Sequence, residues 1–208
     1  MSDWVVYSIG FAAQLLFSSR LLIQWIQSEK VKKVVTPLIF WQLSLLASFL
    51  LFVYGWFRDD FAIMLGQVMT YFIYIRNLQM QGFWKKLHRF FRVFLFVFPL
   101  LIVWYTYNTN QFDVDRVFWN QAIPLWLMSL GSVAPIVFTL RFIYQWIYSE
   151  KRKESILPMG FWILSATGSV LIIIYAILRK DPVLFTGHIF GSIVYFRNIS
   201  LIKKSSHE

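Results

Sequence analysis

An eleven-residue stretch that occurs twice is the feature that most constrains this chain. The first copy runs from Arg20 to Lys30 (RLLIQWIQSEK) and the second from Arg141 to Lys151 (RFIYQWIYSEK), an offset of 121 positions. Seven residues return: Arg20/Arg141, Gln24/Gln145, Trp25/Trp146, Ile26/Ile147, Ser28/Ser149, Glu29/Glu150 and Lys30/Lys151. The duplication continues on both sides without a gap, so that residues 10–77 align on 131–198 with about 25 of 68 positions identical. Whatever one copy folds into, the other must fold into as well.

The composition says what each copy is made of. Apolar residues make up 58% of the 208 and charged residues 14%, against about 25% charged in ordinary globular proteins, and mean hydropathy is +0.59. Apolar runs at about 4–27, 37–57, 61–79, 90–107, 121–147, 157–178 and 182–201 are each near the roughly 20 residues that a membrane helix needs. Three runs fall in each copy, an odd number, and the fourth returns the chain so that the second copy enters in the same direction as the first. The predicted fold is therefore an all-α membrane protein of seven transmembrane helices. Two parallel three-helix repeats, 1–80 and 119–208, flank a linker with the fourth helix, 81–118. Parallel repeats pack about an axis along the membrane normal and place their site between the halves.

Charge sets the orientation. The net charge of +10 might recruit nucleic acid on a soluble protein, but here the basic residues lie in the joints between apolar runs, and no nucleic-acid partner is expected. Seven spans put fourteen of the twenty lysines and arginines on one side and only Arg58, Arg116, Arg179 and Lys180 on the other. The positive-inside rule then places the amino terminus outside and the carboxy terminus in the cytoplasm. The opening Met-Ser-Asp-Trp lacks a positive n-region, so the first run is expected to remain as a helix. The absence of cysteine excludes thiolate metal sites and cysteine nucleophiles. No metal or other cofactor is expected, and no hydrolase elbow or nucleotide loop proposes an enzyme.

The candidate site residues lie on two helices of each copy. Arg20 and Arg141 interrupt apolar runs, with Gln24 and Gln145 one turn later on the same face. A guanidinium at that depth is costly, and its planar fork suits phosphate or carboxylate oxygens. Every acidic residue lies in a joint or a tail. An anionic headgroup is one reading; snorkelling to the interface or bonding to backbone carbonyls is the other. On the third helix, Gln67, Tyr71, Tyr74 and Asn77 stand against His188, Ser192, Tyr195 and Asn198. These side chains could hydrogen-bond sugar hydroxyls, or only hold the bundle together. His188 lacks metal-like neighbours. Pro37 and Pro158 sit where the second helix of each copy should begin, and Pro135 is expected to bend the fifth span. Trp41 and Trp162 read as interface anchors, and Arg58-x-Asp60 and Arg179-x-Asp181 as caps with local ion pairs. Glu29 and Arg76, with Glu150 and Arg197, end on the same side and could pair across helices.

The pattern Gly10…Phe17-x-x-Arg20…Gln24-Trp25…Ser28-Glu29, Pro37…Phe40-Trp41…Ser44, Tyr54…Arg58-x-Asp60 and Gly66…Tyr74…Arg76-Asn77 resembles the lipid A biosynthesis N-terminal domain. That is the three-helix membrane module ahead of some lipid-A-disaccharide synthases. It is present here twice, with Pro135 in place of Gln14 and His188 in place of Gln67 in the second copy. The family is related to PQ-loop and SWEET sugar carriers, so the resemblance implies a SWEET-like three-one-three bundle in the bacterial inner membrane. It further implies partners among lipid-linked anionic sugars, glycolipids and membrane lipids, with a glycosyltransferase as a possible protein partner. A flippase for a polyprenyl-phosphate sugar or lipid A-type precursor, a facilitator of small soluble sugars, and a non-transporting partner of a glycosyltransferase all fit that resemblance.

Overall fold

A computed structural model describes residues 3–57, 61–108, 125–179 and 182–205. Among them are seven α-helices and no strand: α1 (Asp3–Val31), α2 (Leu38–Phe57), α3 (Phe61–Met80), α4 (Arg89–Asn108), α5 (Leu125–Arg152), α6 (Met159–Arg179) and α7 (Pro182–Ser205). A short 3-10 turn, Trp84–Lys86, precedes α4. Stretches of α1, α2 and α6 are long and apolar enough to cross a membrane, which fits an integral membrane protein. Arg58, Asp60, Asp113 to Arg116, Lys180 and Asp181 lie outside the described residues, and with them most of the two expected Arg-x-Asp turns.

Helices α1 and α5 run past their apolar runs into the charged joints, then stop in the same way. The N–H of Lys33 reaches the carbonyl of Ser28 at 3.2 Å and that of Lys32 the carbonyl of Glu29 at 3.4 Å. Glu154 to Ser149 and Lys153 to Glu150 repeat the pattern at 3.2 and 3.4 Å. This is the paired closure of a helix end that usually takes glycine in the left-handed region. Here Lys32 and Lys153 occupy that region, each with φ of 55°. Pro37 and Pro158 directly precede α2 and α6, where a missing N–H and a fixed φ favour the start of a helix. α5 is helical through Pro135, and α4 carries Pro99 within it.

The chain forms two compact units, and α1 contributes to both. Residues 1–20 and 38–120 make the first; residues 21–37 and 121–208 make the second. In the first, α2 packs along α3, and α3 meets α4 and the 3-10 turn. Phe52, Met64 and Ile102 form a core there with Trp56, Val68 and Phe98 against it. In the second, α5 packs on α6 and α6 on α7. Gly168 lets α6 approach α5 closely: a Cβ there would lie 2.9 Å from the backbone of Phe138.

Candidate functional site

In the first unit, α1 presents Arg20 to α2 and α3. Arg20 is only 4% exposed, and its Nη1 donates to Ser44 Oγ at 2.6 Å. Ser44 Oγ in turn donates to the Phe40 carbonyl one turn back, at 2.5 Å. The rings of Phe17, Phe40 and Tyr74 stand 4.6, 5.1 and 5.6 Å from the guanidinium carbon. Ring faces carry partial negative charge and attract a cation, more strongly when water is excluded. The sequence positions these groups simply: Phe17 is three residues before Arg20, and Ser44 is four after Phe40.

The second unit repeats the arrangement with a tighter ring. Arg141, 5% exposed, donates from Nη1 to Ser165 Oγ at 3.4 Å and to the Tyr195 hydroxyl at 3.3 Å. Its carbon lies 3.4 Å from the Phe138 centroid, with Phe142, Phe161 and Tyr195 between 4.7 and 5.8 Å. Both arginines are therefore lodged among hydroxyls and rings, each inside its own compact unit. Snorkelling to a polar surface does not describe them.

Trp41 and Trp162 correct the sequence reading. Both are fully buried, set edge-on against Phe40 and Phe161 at 4.9 and 5.0 Å, and tilted toward Tyr74 and Tyr195 at 6.0 and 6.2 Å. They back the arginine pocket and do not anchor an interface. Their indole Nε1 atoms are buried with no hydrogen-bond partner among the described residues. Ser48 and Ser169, an identical pair passed over in the sequence reading, also line this face. Ser48 donates to Gln67 Oε1 at 3.0 Å, and Ser169 Oγ meets His188 Nδ1 at 3.1 Å. Replacing glutamine by histidine thus keeps the same serine partner. Ser192 donates to Ser169 at 3.0 Å.

Gln24 and Gln145 are fully buried but face a different task from the arginines. Gln24 Nε2 donates to Ser28 Oγ at 2.9 Å and to the Val35 carbonyl at 3.3 Å, and Ser28 Oγ accepts the Val35 N–H at 3.2 Å. Gln145, Ser149 and Ile156 repeat the clamp at 2.9, 3.1 and 3.2 Å. The conserved spacing within the duplication thus folds the loop after each helix back over its end. Gln24 also pairs with Asn198 of α7: Nε2 to Oδ1 at 2.9 Å, and Asn198 Nδ2 to Oε1 at 3.3 Å. Asn77 donates to the Ile73 carbonyl at 2.9 Å within its own helix, as Asn198 does to Val194.

Directly after Ser28, the Glu29 carboxylate takes the Arg197 guanidinium in a two-pronged contact, Nε to Oε1 and Nη2 to Oε2, the latter at 2.9 Å. The fork is the geometry that arginine favours with a carboxylate. It joins the first copy's α1 to the second copy's α7, with Trp25 Nε1 donating to the same carboxylate at 3.1 Å. Among the described residues no cluster of three or more His, Cys, Asp or Glu could hold a metal ion.

The profile of the family described as Lipid A Biosynthesis N-terminal domain matches residues 9–79 and again 130–200, the two copies of the duplication. Lipid-A-disaccharide synthase of Chlamydia caviae is 29% identical over 211 residues, covering 97% of this chain and 34% of the synthase. The same-named protein of Chlamydia pneumoniae is 29% identical over 187 residues, covering 86% and 30%. That of Chlamydia trachomatis serovar D is 25% identical over 188 residues, covering 86% and 31%. The chain spans about a third of the length of these curated relatives. No solved structure matches it.

Proposed function

Since the chain belongs to the Lipid A Biosynthesis N-terminal domain family, we propose that it is a non-enzymatic membrane module that moves a lipid-linked sugar phosphate across the bilayer. The cargo is of the polyprenyl-phosphate sugar or lipid A-precursor class, and the site is the bacterial inner membrane with the amino terminus outside. Seven crossings and a SWEET-like arrangement belong to this reading. The observation that carries it is the pair of equivalent arginines, each more than nine-tenths buried and held by hydroxyls and ring faces. The positive charge and planar fork of a guanidinium suit the oxygens of a phosphate. A neutral soluble sugar would have no use for that charge. The Gln24–Asn198 pair and the Glu29–Arg197 fork serve as a latch between α1 and α7 that parts when cargo passes.

Proteoliposomes containing the purified chain and a fluorescent short-chain polyprenyl-phosphate sugar test the reading. A membrane-impermeant quencher should reach the inner-leaflet pool faster than in protein-free vesicles, and a dephosphorylated analogue should gain nothing. Equal rates with and without protein would reject translocation.

A second reading draws on the relatives, in which the matching region is about a third of a synthase. The module would then hold a glycolipid for a glycosyltransferase and move nothing. Saturable binding of the fluorescent lipid without leaflet exchange would favour it.

A further inference from the structure

We propose that the start of α4 carries a lipid-binding groove, separate from the buried arginines, that takes an anionic phospholipid by its phosphate. The groove holds about 350 Å3 and is lined by Trp84, Arg89, Arg92, Val93, Phe96 and Val97. The five α4 residues fall at i, i+3, i+4, i+7 and i+8, one face of a helix. The two arginines stand together at one end, and the apolar side chains follow for about 6 Å along the axis. Trp84 is buried beneath them, and Phe72 of α3 packs against Phe96 at 5.2 Å.

The segment before α4 is built to hold this shape. Gly82, at φ +74°, ends α3; the 3-10 turn sets Trp84 inward; and His88 Nδ1 accepts the Phe90 N–H at 3.3 Å at the head of α4. Arg92 Nε is buried with no hydrogen-bond partner among the described residues. A buried donor of that kind calls for an acceptor. Val93, Phe96 and Val97 are exposed, as hydrocarbon-facing side chains are in a bilayer.

Two guanidiniums heading an apolar trough complement an amphiphile with an anion at one end. A diester phosphate supplies oxygens for both forks, and its acyl chain covers Val93, Phe96 and Val97. Lys85 and Lys86, exposed outside the groove, raise the local attraction for an anionic leaflet.

The test is native mass spectrometry of the full chain in detergent with phosphatidylglycerol, with phosphatidylcholine of the same acyl chains, and with soluble glycerol phosphate as competitor. Phosphatidylglycerol should be retained at least several-fold more than phosphatidylcholine, and glycerol phosphate at equal concentration should not displace it. Replacing both groove arginines (Arg89→Gln with Arg92→Gln) should lower retention roughly tenfold or more, whereas Lys85→Gln with Lys86→Gln should change it less than twofold. Equal retention of the two lipids by the parental chain would overturn the proposal, and that comparison needs no variant to fold. So would displacement by glycerol phosphate, which would mean a free-phosphate site. So too would an equal loss in the lysine pair, which would mean diffuse surface charge.

Discussion

A buried carboxamide has an acceptor and two donors to satisfy, and Gln24 does so across 174 positions of sequence by facing Asn198. Interhelical polar contacts of this sort are worth about 0.6 kcal/mol on average in membranes and up to about 1.7. A double-mutant cycle of Gln24→Leu and Asn198→Leu, read by equilibrium unfolding in detergent, should return a coupling of about 1 kcal/mol. Additive single losses would mean that the amides meet without mutual stabilisation. The four-residue spacing from Arg20 to Gln24 places both on one face, and that much was legible before any coordinates. Their division of labour was not. It depends on Ser28 lying one turn beyond Gln24 and on the loop returning Val35 to both. Trp41 was misread for a related reason: tryptophan is favoured both at membrane interfaces and in tight cores, and only the neighbours Phe40 and Tyr74 decide between them.

At the scale of the element, each apolar run contains one of the seven described α-helices for most of its length, but two helices run well past the end of their run. α1 continues to Val31 and α5 to Arg152, because Gln, Ser and Glu in the last turns find partners that an apolar count cannot register. The duplication also hides one inequality with a packing cost. Gly168 corresponds to Ala47, which is fully buried in the first unit, yet a Cβ at 168 would press on the Phe138 backbone at 2.9 Å. Gly168→Ala should therefore lower thermal stability by an amount typical of overpacking, about 1–3 kcal/mol. It should also disturb Arg141, whose guanidinium rests on the Phe138 ring. Ala47→Gly in the first unit should cost about 1 kcal/mol or less. A thermal melt of both variants decides the matter, and a neutral Gly168→Ala would contradict the close approach of α5 and α6.

For the whole molecule, the proposed sidedness rests on the charge distribution and on the proposed odd number of crossings per copy. On this cysteine-free chain, single cysteines at Val31, Lys86 and Lys153 should react with an impermeant maleimide from one side only. Cysteines at Asn108 and Arg179 should react from the other. Opposite labelling of Val31→Cys and Lys86→Cys would mean that α2 and α3 do not both cross. The central claim, however, concerns Arg20 and Arg141. In the proposed spans, burying each guanidinium costs about 2.5–3.5 kcal/mol on insertion scales. If phosphate recognition is the reason, Arg20→Gln and Arg141→Gln should fold with near-parental yield and melting temperature yet lose translocation of the lipid-linked sugar phosphate. The lysine variants, which keep charge but lose the fork, should retain part of it. The decisive measurement is translocation per folded molecule for the two glutamine variants: loss with folding intact is predicted, and well-folded variants that translocate at the parental rate would contradict the account.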